Sequence, residues 1–397
     1  MTNWKKYKLG ELMDVQSGYA FKSGDLKTFG VPIIKIKNIQ PPNISFDEAD
    51  YYAEEINGRL NQFVIKKKDI LISMTGSHVG QFASAVGKVG RYGFDKPALL
   101  NQRVGKLYAK DKSQLNEDFL YYLIARTEVQ FELATNAGGS ANQANISPQL
   151  IKNLEFDIPC IEAQTRIASI LSSLDDKIEL NRRMNQTLEQ IAATLFKKYF
   201  VDDIDEDNLP EGWRWGKVSE LLELIYGKAL KERDRKVGKY PVVGSSGIVG
   251  FHDQYIAEGN GIVVGRKGNA GSVIWMHDKF YPIDTTFYVK NIDAVQGMYY
   301  YYFLLKDLNL GNLNSDSAVP GLNRNEAHNQ EILVPKTEVI IQFNKIASSF
   351  FNKVKSNEKE IKSLTIIRNT LLPKLMSGEI DVTAINQNEP LHEEVFS

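Results

Sequence analysis

Cysteine is almost missing from this 397-residue chain: Cys160 stands alone, and the five histidines are scattered. A disulfide frame is excluded, and no zinc site of the usual Cys/His spacing is written in the sequence. An excess of charge of either sign is missing too. Lys and Arg number 48 against 49 Asp and Glu, for a net charge of −1. A reader of nucleic acid would have to gather its bases locally. No apolar run approaches the ~20 residues that a membrane-spanning helix needs. The first residues, MTNWKKYKLG, contain no apolar signal core. The expected place is the cytoplasm, with no membrane contact.

Catalytic signatures are also lacking. GRKGNAGS at 265–272 has glycines and bases but not the Lys-Ser/Thr ending of a phosphate loop. QPPN at 40–43 has Gln in place of the Asp or Asn that opens an amino-methyltransferase tetrad, and it lacks the closing aromatic. Asp284, in YPID, has no acidic-x-Lys pair at nuclease spacing and reads as structural. His78 lies beside Ser77 with no second titratable group near it in sequence. The expectation is a chain with no catalytic residues, no metal ligands and no cofactor of its own.

What is present is a repeat. The helix-patterned stretch 162–200 recurs at 338–376, and Pro159 and Pro335 precede the two copies at the same offset of 176. No gap is needed to superimpose Ile167 on Phe343, Leu174 on Phe350, Leu188 on Leu364 or Leu195 on Leu371. A long internal repeat governs the architecture. As heptads, the first copy puts Ile167, Leu174, Asn181, Leu188 and Leu195 at a, with Ile170, Met184 and Ile191 at d. The second puts Phe343, Phe350, Asn357, Leu364 and Leu371 at a, with Ile346 and Ile367 at d. Such a seam buries itself against another helix. The middle a positions, Asn181 and Asn357, would fix the register, because a slipped pairing leaves the amide in hydrocarbon. The two helices, each roughly 57 Å long at 1.5 Å per residue, are expected to pair antiparallel. Residues equidistant from the two asparagines would then meet.

The segments before the helices repeat more loosely. Trp4, Leu9 and Gly18 match Trp213, Val218 and Gly227 at an offset of 209. DILISMTGSHVG (69–80) matches GNGIVVGRKGNAG (259–271), and the aromatic helix pattern of 117–133 recurs at 299–308. Going from 209 to 176 leaves the second segment about thirty residues shorter. The fold class read from this is α+β: two mixed β units with helices, joined by two long helices as an antiparallel coiled coil with pseudo-twofold repetition. The boundaries run 1–160, a helix at 161–201, a linker at 202–211, 212–335, a helix at 336–381 and a tail at 382–397. The linker is acidic, with six acids and no base. The tail is also acidic, and disorder is expected there.

Matching loops of both units carry amides, hydroxyls and bases. Arg and Lys suit guanine edges, Asn and Gln suit adenine, and Ser, Thr and backbone N–H suit phosphates. The DNA-binding candidates of the first unit are Lys35, Lys37, Asn38, Thr75, Ser77, His78, Asn101, Gln102, Arg103, Gln143 and Asn145. Those of the second are Lys231, Arg233, Ser245, Ser246, Arg266, Lys267, Asn269, Asn323 and Arg324. Singly, each is a turn amide or a solvated charge as readily as a contact; the signal is their recurrence. The aromatic clusters Tyr121, Tyr122 and Tyr299–Phe303 read as core at helical spacing.

Three stretches carry a family resemblance. LPEGWRWGKVSEL (209–221) resembles the opening of the second target-recognition domain in specificity subunits of Type I restriction–modification systems. The stretch from Pro159 to Phe200 resembles their central helix, and LLPKLMSGEIDV (371–382) the end of their distal one. The resemblance spans essentially the whole chain, in the same order. It implies a non-enzymatic subunit whose target-recognition domains each read half of a bipartite double-stranded DNA site, with the helices setting the spacer. It implies as partners two modification subunits, which transfer methyl to adenine from S-adenosylmethionine, and restriction subunits driven by ATP with Mg. Two alternatives stay open: a recognition subunit of a related phage-defence system, and a coiled-coil scaffold for other proteins.

Overall fold

The computed structural model describes residues 4–384 apart from 53, 54, 57, 79, 82–85, 141, 142, 203, 293–296 and 315–320. The expected tail therefore falls outside the described residues from 385 onward. Two 40-residue helices dominate the chain, Ile161–Phe200 and Thr337–Met376. Both of their ends keep the offset of 176, so the repeat read in sequence is a repeat of whole elements.

Compactness divides the chain inside these helices, not at their ends. One unit is Met1–Lys177 with Leu364–Ser397, and the other is Ile178–Ser363. Each sheet-bearing segment buries its core with the N-terminal half of one long helix and the C-terminal half of the other. In the first unit Ala163, Ile167 and Leu171 join Leu375 and Met376 over Phe119, Leu120 and Leu123. In the second, Ala192, Phe196 and Phe200 join Phe343, Ala347 and Phe351 over Tyr300, Tyr301 and Phe303. Burying such large side chains contributes about 1.5–3 kcal/mol each.

The sheets follow one plan. In the first unit Lys5–Lys8 pairs antiparallel with Glu155–Ile158, tying the segment's start to the residues just before the helix. Arg214–Lys217 and Glu331–Val334 repeat that ladder in the second. Beyond it, Met13–Ser17, Val104–Ala109 and Ile70–Ser73 lie side by side, as do Leu222–Tyr226, Thr286–Asn291 and Gly261–Gly265. Gly18 and Gly227, each one residue past the first of these strands, sit against the backbone carbonyls of Asn101 and Ile283, where a Cβ has no room.

Two details differ from the sequence reading. The helix expected over 117–133 is two helices, Glu117–Ile124 and Thr127–Thr135. Arg126 is extended at the break, and its Nε donates to the Leu123 carbonyl, 3.0 Å away. The heptad seam also drifts: Ile191, assigned to d, is 42 % exposed, while Ala192, Phe196 and Phe200 are buried. A straight helix rotates about 20° per heptad away from a strict seven-residue repeat. Here the rotation turns a four-residue stripe toward the aromatic helix Tyr299–Asp307.

The helix halves inside each unit run antiparallel. In the second, Asn181 Nδ2 donates to Glu360 Oε2 (2.9 Å) and Asn357 Nδ2 donates to Asn185 Oδ1 (2.8 Å). Each asparagine thus reaches a residue about one turn beyond the other asparagine, not the other asparagine itself. The symmetric point of the pairing falls near Arg183 and Lys359. In the first unit Arg368 Nη1 donates to Asp175 Oδ1 at 2.7 Å. Tyr122 donates to the other carboxylate oxygen at 2.8 Å.

Candidate nucleic-acid interface

In the first unit the strands Val31–Ile34 and Ala98–Leu100 run parallel and deliver Lys35 and Asn101 side by side. Asn101 is buried; its N–H donates to the Ile34 carbonyl, and its Oδ1 accepts from the Arg103 N–H at 3.2 Å. That bond holds a turn which presents Gln102 and Arg103 to solvent. Met74 joins this turn to a small sheet. Its N–H donates to the Arg103 carbonyl (2.9 Å), and its carbonyl accepts from Ile146 (3.0 Å). The sheet consists of Thr75–Gly76, Gly138–Ser140 and Gln143–Asn145. Thr75 Oγ1 donates to Asn145 Oδ1 at 3.0 Å, Ser77 Oγ donates to the Gln81 carbonyl, and His78, Gln143 and Asn145 face solvent. The structure so brings Thr75, Ser77, His78, Gln102, Arg103, Gln143 and Asn145 to one end of the sheets.

Three candidates stand differently. Asn38 is fully buried: its Oδ1 accepts from the Lys35 N–H, and its Nδ2 donates to the Asp47 carbonyl. It shapes the backbone and has no edge left for a base. Lys35 and Lys37 both reach Asp50, at 2.8 and 3.7 Å. The Lys35 contact, with Lys37 behind it, holds the Asp50 carboxyl below the usual range.

In the second unit Ser245 and Ser246 form the two-residue turn between Tyr240–Gly244 and Gly247–His252. Ser246 is exposed, whereas Ser245 is buried and its carbonyl accepts from Ser272 Oγ at 2.7 Å. Ser272 closes the loop 265–271, whose Lys267 and Asn269 face solvent. Gly268, in the left-handed region at φ +75°, lies against Ser245 Oγ. Asn323 Oδ1 accepts from the Asn325 N–H and caps the short helix Arg324–His328. Lys231 and Arg233 stand apart, exposed on the turn at Glu232–Asp234.

Sequence reasoning missed Tyr226. Its ring is 45 % exposed, and the guanidinium carbons of Arg266 and Arg324 lie 4.9 and 5.1 Å from its centroid. The signal was available, since Tyr226 directly precedes the glycine that matches Gly18. The aromatic clusters Tyr121, Tyr122 and Tyr299–Phe303 are buried, as the helical spacing implied. Among the described residues no three His, Cys, Asp or Glu converge as metal ligands, and no helix is long and apolar enough to cross a membrane.

Known proteins share this arrangement. The chain is 24 % identical over 402 residues to the Type I restriction enzyme MjaIX specificity subunit of Methanocaldococcus jannaschii, covering 90 % of this chain and 92 % of that one. It is 25 % identical over 488 residues to the HindI specificity subunit of Haemophilus influenzae, covering 96 % and 100 %. In fold it resembles the crystal structure of a Type-I restriction-modification system S subunit from M. genitalium, with a TM-score of 0.63 and 22 % identity over 94 % of this chain and 96 % of that one. The family described as Type I restriction modification DNA specificity domain matches twice, over residues 1–190 and 210–365. By that doubled match the chain belongs to the Type I restriction–modification specificity family, whose work is the recognition of DNA sequence.

Proposed function

We propose that the chain is the non-catalytic recognition and scaffold subunit of such a system. Each unit reads one half of a bipartite double-stranded target, and the long helices set the unread spacer between the halves. Two adenine-modification subunits dock on the repeated helix frame, and restriction subunits assemble on that core. S-adenosylmethionine, ATP and Mg belong to those partners, as does any flipping of the target adenine. The observation that carries the reading is a contrast: two 40-residue helices repeat without a gap, while the sheet-bearing segments share strand topology but match in sequence only in patches. A frame that must meet two identical partners stays fixed, whereas two readers of different half-sites diverge.

The test is reconstitution. The purified chain alone is expected neither to transfer methyl groups nor to cut DNA. With modification subunits it should retard a target duplex, with affinity falling steeply in log salt. Methyl transfer or cleavage by the chain alone would defeat the assignment.

A further inference from the structure

The cluster of Tyr226, Arg266 and Arg324 belongs to the second unit only. Met74 holds the place of Arg266. Its N–H donates to the Arg103 carbonyl and its carbonyl accepts from Ile146, as Arg266 donates to Thr285 and accepts from Leu322, both at 2.8 Å. Ser17, paired with Gly105, holds the place of Tyr226, paired with Phe287. Pro148, following the capping Ser147, holds the place of Arg324, following the capping Asn323. The fold thus forms without the cluster in one unit, so folding does not require it in the other.

The chemistry of the cluster is that of an anion site. Both guanidiniums lie over one ring, no more than about 10 Å apart, which is about the Debye length at 0.1 M salt. Neither has a carboxylate partner among the described residues. Arg266 Nη1 donates to the Asp284 carbonyl (3.2 Å), which fixes the group without neutralising it. Arg324 Nε is buried without an acceptor, so stacking on the ring, not hydrogen bonding, positions that guanidinium. Two positioned and uncompensated cations beside an exposed ring, with Lys267 next in the loop, favour a group that is negative and presents several oxygens.

We propose that Tyr226, Arg266 and Arg324 form a phosphodiester clamp that grips the DNA backbone in the half-site read by the second unit. At the three equivalent positions of the first unit stand Ser17, Met74 and Pro148, which cannot form such a clamp. This rests on the recognition reading and adds that the two units hold DNA by different balances of charge and base contact. A phosphate contact positions the duplex and carries no sequence information.

The experiment uses the full chain assembled with modification subunits, a duplex bearing the methylated target of the host, and a duplex with that target scrambled. Arg266→Met, which installs the residue of the first unit, and Arg324→Gln should each weaken binding to both duplexes about tenfold and lower the salt slope by about 0.9. Arg266→Lys should restore most of the slope. Methylphosphonate substitution at phosphates of the second half-site should weaken the wild-type complex more than the Arg266→Met complex, which keeps only Arg324 to lose. An unchanged slope in both variants would overturn the clamp. So would a changed base preference in the second half-site with unchanged affinity for the scrambled duplex. Equal wild-type binding to both duplexes would sink the recognition reading, whereas the slope loss would still establish the clamp.

Discussion

His277, in the second unit, is a histidine that stays neutral. Burial, with the charge of Lys355 next, pushes its pKa down to about 4, against the opposing pull of Asp278. Trp275 Nε1 donates to its Nδ1 at 3.2 Å, and Glu358 stands 3.8 Å from its Nε2. The unfolded chain takes up this proton near pH 6.5 and the folded chain does not until about pH 4. The unfolded state therefore binds more protons between those values, and stability falls as pH drops through that window. Unfolding followed between pH 7 and 4.5 should show a shallower loss in His277→Gln than in wild type; parallel profiles would contradict this. In the first unit Asp175 and Arg368 are about four-fifths buried, and Tyr122 donates to the same carboxylate. Removing the cation leaves a charge poorly compensated, so Arg368→Leu should cost about 2 kcal/mol in urea unfolding. Residue type told where polar groups would gather, but not which would be consumed within the fold. Asn38 and Gln102 are both loop amides in sequence. Only the packing shows that the first is used up by Lys35 and Asp47 while the second faces solvent.

The long helices were legible because their repeat is strict: 161 and 337 begin them, 200 and 376 end them. Their contacts were less so. Heptad notation assumes that the partner is always a helix, whereas Ala192, Phe196 and Phe200 face a sheet-bearing segment and its aromatic helix. The notation also put Asn181 opposite Asn357, and the observed pairing is displaced by a turn. Both Oδ1 atoms are buried without a partner, and a half-satisfied amide in a helix seam costs stability while it fixes register. Asn181→Leu with Asn357→Leu should therefore raise stability by about 1–2 kcal/mol. Thermal unfolding of the double variant checks this, and a fall in Tm would show that the amides stabilise on balance. The buried amides Gln164 and Asn344 have a job that no periodicity announces. Gln164 Oε1 accepts from the Asn116 N–H and Asn344 Oδ1 from the Tyr300 N–H, pinning the start of each aromatic helix to a long helix.

For the whole molecule, the α+β plan was visible in the offsets 209 and 176, because topology constrains Gly18 and Gly227 in the same way. The loops were not visible at that level, because base and phosphate contacts depend on where short turns bring residues from distant strands. Arg266 and Arg324 are 58 positions apart in sequence and share one ring. On the proposed function the long helices set the spacer and the loops read the half-sites. One heptad added at matching points of both long helices, near Arg183 and Lys359, separates these roles in a single experiment. Methylated adenines mapped across the genome of a host carrying this variant should show both half-site sequences unchanged and the unread spacer altered in length. An unchanged spacer, or altered half-site sequences, would contradict it.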